Sequence, residues 1–170
     1  GKTSILSVLN KFLNQSEKNK FKYDDFNISF KKEFSKVVEA EDEIGEDKFR
    51  HFGIGLRIFF EYFEGDNLAN VSRVMMDLDP ENNIVVLGYE YHIDYERFLL
   101  LRKNFSDFKA RQLAKKKKDD SYQILGFNSF LDSHHPEYFS LFRKSYFFDK
   151  EKKLIDGNNF IDLDQEKINT

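Results

Sequence analysis

The residues best equipped for chemistry stand at the very start of the chain: Gly1-Lys2-Thr3-Ser4. They match the closing half of the phosphate-binding loop G-x-x-x-x-G-K-[ST]. In that loop backbone N–H groups cradle phosphates, the lysine reaches the β- and γ-phosphates, and the hydroxyl holds Mg²⁺. On this match Gly1 is the second glycine, Lys2 the phosphate lysine and Thr3 the metal ligand, with Ser4 placed to meet the α-phosphate. The cofactors implied are ATP and Mg²⁺. Ile5, Leu6, Leu9, Phe12 and Leu13 follow at helical spacing, so the motif opens a helix over residues 4–14. A helix start supplies the free N–H groups and the positive dipole end that phosphate needs. The simpler alternative is that Thr3 or Ser4 only caps an ordinary helix. The first glycine and its strand would precede residue 1, so an excerpt of a larger ATPase is expected.

The rest of the chain adds little to that chemistry. Hydrolysis needs an apolar strand ending in a carboxylate, and Val74-Met75-Met76-Asp77 is the nearest look-alike. It fits a helix face better, so no catalytic residue is assigned. Adjacent His134 and His135 point in different directions on any regular backbone, and with Pro136 they read as a polar helix break. Lys115 to Lys118, with Lys109 and Arg111, form the one basic cluster. Asp119 and Asp120 follow it and no aromatic is interleaved, so a solvated helix end is expected rather than a nucleic-acid contact. Residues 39–47 carry six carboxylates without EF-hand spacing, which predicts a solvated acidic loop turning at Gly45. With no cysteine, disulfides, thiol catalysis and Cys-ligated zinc are excluded.

A chain of 170 residues suits one domain, and its apolar content is dominated by 20 Phe and 8 Tyr with no Trp. Its net charge of −3 gives no global attraction to nucleic acid or anionic lipid. No apolar run approaches the ~18 residues of a membrane span and no secretory signal is visible. A cytoplasmic protein with no membrane partner is therefore expected.

Three strands are predicted. Over 27–34, Ile28, Phe30 and Phe34 share a parity that Lys32 interrupts. Over 53–63, Ile54, Leu56, Ile58, Phe60 and Tyr62 alternate with Gly55, Arg57, Phe59, Glu61 and Phe63. Phe59 and Phe63 suggest that the second face of that strand is partly covered too. The third strand is 84–93. A short helix over 68–78, capped by Asp66 or Asn67, separates the last two and ends at the turn 79–83. Helices are predicted over 95–118, 122–133 and from Pro136 to Phe148. Residues 153–163 read as a small hairpin turning at Gly157.

Gly-Lys-Thr-Ser, the Ile-Leu-x-x-Leu-x-x-Phe-Leu helix and Tyr23-Asp24-Asp25-Phe26-Asn27 resemble the start of bacterial AAA-type ATPases of the overcoming-lysogenization-defect family. The stretches Leu68 to Ser72, Asp77 to Pro80 and Ile84 to Leu87 look like the antiparallel β-subdomain that follows the P-loop helix there. The resemblance implies an ABC-type ATPase domain that self-associates around ATP, with a nuclease domain downstream, DNA as a partner of the parent protein and a role in anti-phage defence. Only Gly1 to Ser4 carry the family's functional residues; the signature motif, the Asp-Glu strand and the nuclease carboxylates are not in this chain.

The fold expected is α+β. The P-loop helix packs on a mixed or antiparallel sheet, a helical insertion follows, and a small hairpin closes the chain. Residues 1–170 then form a single partial ATPase domain, 1–94 holding the P-loop helix and β-subdomain and 95–170 the insertion. The competing expectation is a non-enzymatic α+β interaction module in which Gly-Lys-Thr-Ser is accidental.

Overall fold

The computed structural model describes residues 2–14, 20–49, 52–67, 69, 83–148 and 154–162. In chain order the elements are α1 (Lys2–Leu13), α2 (Ile28–Glu39), β1 (Phe52–Glu61), β2 (Ile84–Ile93), α3 (Tyr95–Lys118), α4 (Phe127–His134), β3 (Ser140–Phe148) and β4 (Leu154–Asp162). The class is α+β, as expected. The chain divides into two compact units, each drawing on both sides of residue 94: 1–53 with 92–140, and 54–91 with 141–170.

The first unit is helical and its core is mostly phenylalanine. α2 replaces the strand expected over 27–34. Its N-cap is Asn27, whose side chain accepts the Phe30 N–H at 2.7 Å. Phe30, Phe34 and Val38 recur every four residues and so share one helix face. Fully buried Phe34 meets Phe127 at 5.8 Å and Phe139 at 5.7 Å, ring centre to ring centre. Phe105 of α3 meets Phe127 at 5.0 Å and Phe130 at 5.5 Å. Asp94 caps α3 by accepting the Arg97 N–H at 2.8 Å, and Lys115 to Lys118 complete its last turn, where the dipole favours cations.

The second unit holds the sheet, whose strand order is β1-β2-β3-β4. β3 and β4 run antiparallel. The Tyr62 N–H donates to the Asn83 carbonyl at 2.9 Å, so the end of β1 meets the start of β2. Beyond β1, Gly65 takes the turn at φ 100°, and Asp66 accepts the Phe63 N–H at 2.8 Å. Asn67 accepts the Ala69 N–H at 3.0 Å, while the helix expected over 68–78 lies otherwise outside the described residues.

Three expectations are corrected here. The helix from Pro136 to Phe148 is a single 3₁₀ turn, His135–Glu137, followed by strand β3. The hairpin over 153–163 is one strand, β4, and the hairpin is β3 with β4. Lys144 faces Phe160 and Tyr146 faces Asp156, so Gly157, Asn158 and Asn159 stand opposite Ser145 alone. Residue types that favour a turn also favour a bulge. The helical insertion is therefore α3 and α4, and the chain returns to the sheet at Ser140. Phe59 and Phe63 are also exposed, at 57% and 63%, where partial cover was expected.

Candidate phosphate site at the start of α1

Helix α1 spans Lys2–Leu13, so Lys2, Thr3 and Ser4 of the motif stand in helical backbone. Gly1 lies outside the described residues, as do the side chains of Lys2, Thr3 and Ser4. The backbone of Lys2 to Ser4 is helical, and the opening N–H groups of an α-helix have no partner four residues back. No acidic residue stands in this first turn to compete for them.

The helix is tied down at its other end. Phe12 is buried and meets Phe21 edge-on at 4.7 Å. Lys11 forms an ion pair with Asp25, whose carboxylate also accepts the Lys22 N–H at 2.6 Å. Among the described residues α1 thus rests on Phe21 through its last turn. Towards the motif Ile5 is 65% and Leu6 66% exposed, and Leu13 is exposed as well. The apolar stripe read from the sequence exists, yet much of it is uncovered.

The other candidates take structural roles. His135 donates from Nε2 to the Phe21 carbonyl at 2.9 Å, which leaves its buried Nδ1 as an acceptor with no hydrogen-bond partner among the described residues. His134 lies 2.8 Å from the Phe130 carbonyl through Nδ1 and stacks on the Phe130 ring at 4.7 Å. In the basic run, Lys116 pairs with Asp120 at 3.6 Å and Lys115 lies 5.5 Å from the Tyr122 ring. No group of three or more His, Cys, Asp or Glu among the described residues could hold a metal. Val74 to Asp77 lie outside them.

The acidic segment after α2 is held by α3, a pairing that the sequence pattern did not reveal. Arg102 donates to the carbonyls of Ala40 and Asp42, and Tyr95 donates to the carbonyl of Ile44 at 2.8 Å. Tyr95 and Arg102 are seven residues apart and so share a helix face. That i, i+7 pair of donors was the available signal. With Glu41, Glu43, Ile44 and Leu99 they line an open cleft of about 460 Å³. The carboxylates of residues 41–43 remain exposed, as a solvated acidic loop should be.

No family model, curated protein or solved structure matches this chain. Among the described residues no helix is long and apolar enough to cross a membrane.

Proposed function

We propose that the chain is the N-terminal portion of an ABC/AAA-type ATPase of the overcoming-lysogenization-defect kind, binding ATP and Mg²⁺ at Gly1 to Ser4. The observation that carries this reading is that Lys2, Thr3 and Ser4 stand in the helical backbone of α1, whose first turn holds no carboxylate. Those N–H groups suit phosphate oxygens, the Lys2 ammonium suits the β/γ-phosphates, and the Thr3 hydroxyl suits the metal. The exposed Ile5 and Leu6 lend support, because a P-loop helix buries that face against the strand preceding it. The first half of the loop is needed for tight binding, since it supplies most of the phosphate donors. DNA processing in phage defence is the role that the resemblance adds.

The test is Mg²⁺–ATP binding by calorimetry, on residues 1–170 and on a polypeptide extended upstream of Gly1. Residues 1–170 should bind very weakly and show no ATPase activity. The extended polypeptide should bind, and lose binding on Lys2→Ala. An extended polypeptide that ignores ATP would end the proposal.

A second reading, a non-enzymatic interaction module, is favoured by a different observation: Phe59 and Phe63 are exposed on and just beyond β1. The same calorimetry separates the two, because a module with an accidental Gly-Lys-Thr-Ser has no ATP affinity in either form.

A further inference from the structure

The last turns of α3 and the loop after them carry a basic row beside an apolar pair, and residues 83–148 are described without a break. Arg111, Lys115 and Lys118 follow one another at steps of four and three, so they share one helix face over ~10 Å. All three are exposed, and Arg111 and Lys118 have neither hydrogen bond nor ion pair among the described residues. The cations on the other side of the helix are engaged, Lys116 with Asp120 at 3.6 Å and Lys109 with Glu39 at 3.6 Å.

A buried side chain fixes the loop beside that row. Gln112 Oε1 accepts both the Tyr122 hydroxyl at 2.7 Å and the Leu125 N–H at 3.2 Å. The Lys115 ammonium lies 5.5 Å from the Tyr122 ring, so the loop reaches the basic face itself. Asp119 starts the loop, accepting the Ser121 N–H at 2.9 Å and the Ser121 hydroxyl at 2.6 Å. Held in this way, Ile124 and Leu125 remain 51% and 47% exposed. A loop already ordered loses little freedom when a partner covers it, so its apolar area counts fully toward binding.

We propose that this surface docks a short acidic peptide segment, its carboxylates on Arg111, Lys115 and Lys118 and an apolar side chain on Ile124 and Leu125. Charge complementarity selects the sign of the partner, and carboxylates at either end of the row select its size. Asp107 precedes the row by one turn and Asp119 follows it directly. Hydrogen bonds from Ser121 hold the Asp119 carboxyl below the usual carboxylate range. An extended polyanion, a bilayer or a nucleic acid, meets both with like charge, whereas a segment of ~10 Å fits between them. Tyr122 is the one ring in the loop, and the Lys115 ammonium already stands over it, which leaves no platform there for a nucleic-acid base. The exposed aliphatic pair adds apolar area removed from water, which a purely ionic contact lacks. None of Gly1 to Ser4 takes part, so this proposal and the phosphate-loop reading stand or fall separately.

Fluorescence anisotropy with residues 1–170 tests the proposal, a labelled peptide of repeated Glu-Glu-Leu serving as the probe. Repeats of Gln-Gln-Leu and of Glu-Glu-Ser remove the charge and the apolar side chain in turn. The Glu-Glu-Leu peptide should bind with a Kd of about 10–100 µM, and each altered repeat about fivefold or more weakly. Arg111→Gln with Lys118→Gln should weaken binding about fivefold or more, as should Ile124→Ser with Leu125→Ser. Lys103→Gln, an exposed change on the opposite side of the helix, should leave binding unchanged. Circular dichroism confirms that each variant folds; if the serine pair does not, the charge pair and the altered peptides decide. Vesicles of phosphatidylserine with phosphatidylcholine, and single-stranded DNA, should bind more weakly than the Glu-Glu-Leu peptide. No binding of that peptide, equal binding of the altered repeats or by the charge pair, an equal loss in Lys103→Gln, or tighter binding of vesicles or DNA would each overturn the proposal.

Discussion

The Tyr146 ring of β3 lies against Gly88 of β2 so closely that a Cβ on residue 88 would stand 2.0 Å from Cε2. The glycine is the space the ring occupies. Tyr146 is buried, reaches across to Arg57 of β1, and makes a cation–π contact with its guanidinium at 5.0 Å. Beside it Lys144 of β3 pairs with Glu90 of β2 at 3.0 Å. One face of the sheet is thus organised by a single absent side chain.

Gly88→Ala should therefore destabilise the protein by about 1–3 kcal/mol, the usual cost of overpacking a well-filled site. The ring is the obstacle, so the same substitution in a Tyr146→Ala background should cost much less. Urea unfolding of the four proteins in this cycle measures the coupling. Additive effects would show that the ring is not what excludes a side chain at residue 88.

Tyr23 links stability to alkaline pH. Burial first, then the charges of Asp132 and Asp24, push its phenol above the ordinary 10.0. The folded state thus keeps a proton that the unfolded chain releases above about pH 10. Stability from this group should be level below pH 10 and fall as pH rises beyond it, by up to ~1.4 kcal/mol per pH unit. Tyr138 is raised too, by burial, so Tyr23→Phe should lessen the slope without abolishing it. Unfolding midpoints measured between pH 8 and pH 11 for both proteins check this.

Asn27→Ala removes the side-chain acceptor for the Phe30 N–H at the head of α2. A loss of about 1 kcal/mol is expected, with Asn27→Asp close to neutral because aspartate caps as well. Were residues 27–34 a strand, the two substitutions would be equivalent in denaturant melts.

If the proposed phosphate loop holds ATP, Lys2→Ala in a polypeptide extended upstream of Gly1 should lower ATP turnover by about 10²-fold or more while leaving the melting temperature unchanged. A lysine that meets phosphate as a point charge adds little packing before the nucleotide arrives. Thr3→Ala should act similarly, with only partial rescue by excess Mg²⁺. Lys116→Ala, in the solvated end of α3, serves as the unaffected control. Turnover at the unmodified rate in Lys2→Ala would remove the phosphate-loop assignment.

Local pattern by itself determined α1, β1, β2 and α3, because each has a long, strong apolar period and clear caps or turns at its ends. Gly65 and the Lys115 to Lys118 run mark boundaries that the structure keeps. It also identified His134 and His135 as structural, and the acidic segment as solvated. Short segments were ambiguous, since Ile28, Phe30 and Phe34 satisfy a strand's parity while Phe30, Phe34 and Val38 satisfy a helix's four-residue step. Burial of Phe34 among Phe127 and Phe139, more than ninety residues away, decided for the helix. The stretch from Ser140 to Phe148 became a strand through its pairing with β4, where Phe142 meets Asp162 and Phe148 meets Leu154. Tertiary structure alone set which apolar residues stay outside, Ile5 and Leu6 on α1 and Phe59 and Phe63 at β1. Periodicity names the side of an element that is apolar; only the neighbours that arrive from distant sequence determine whether that side is covered.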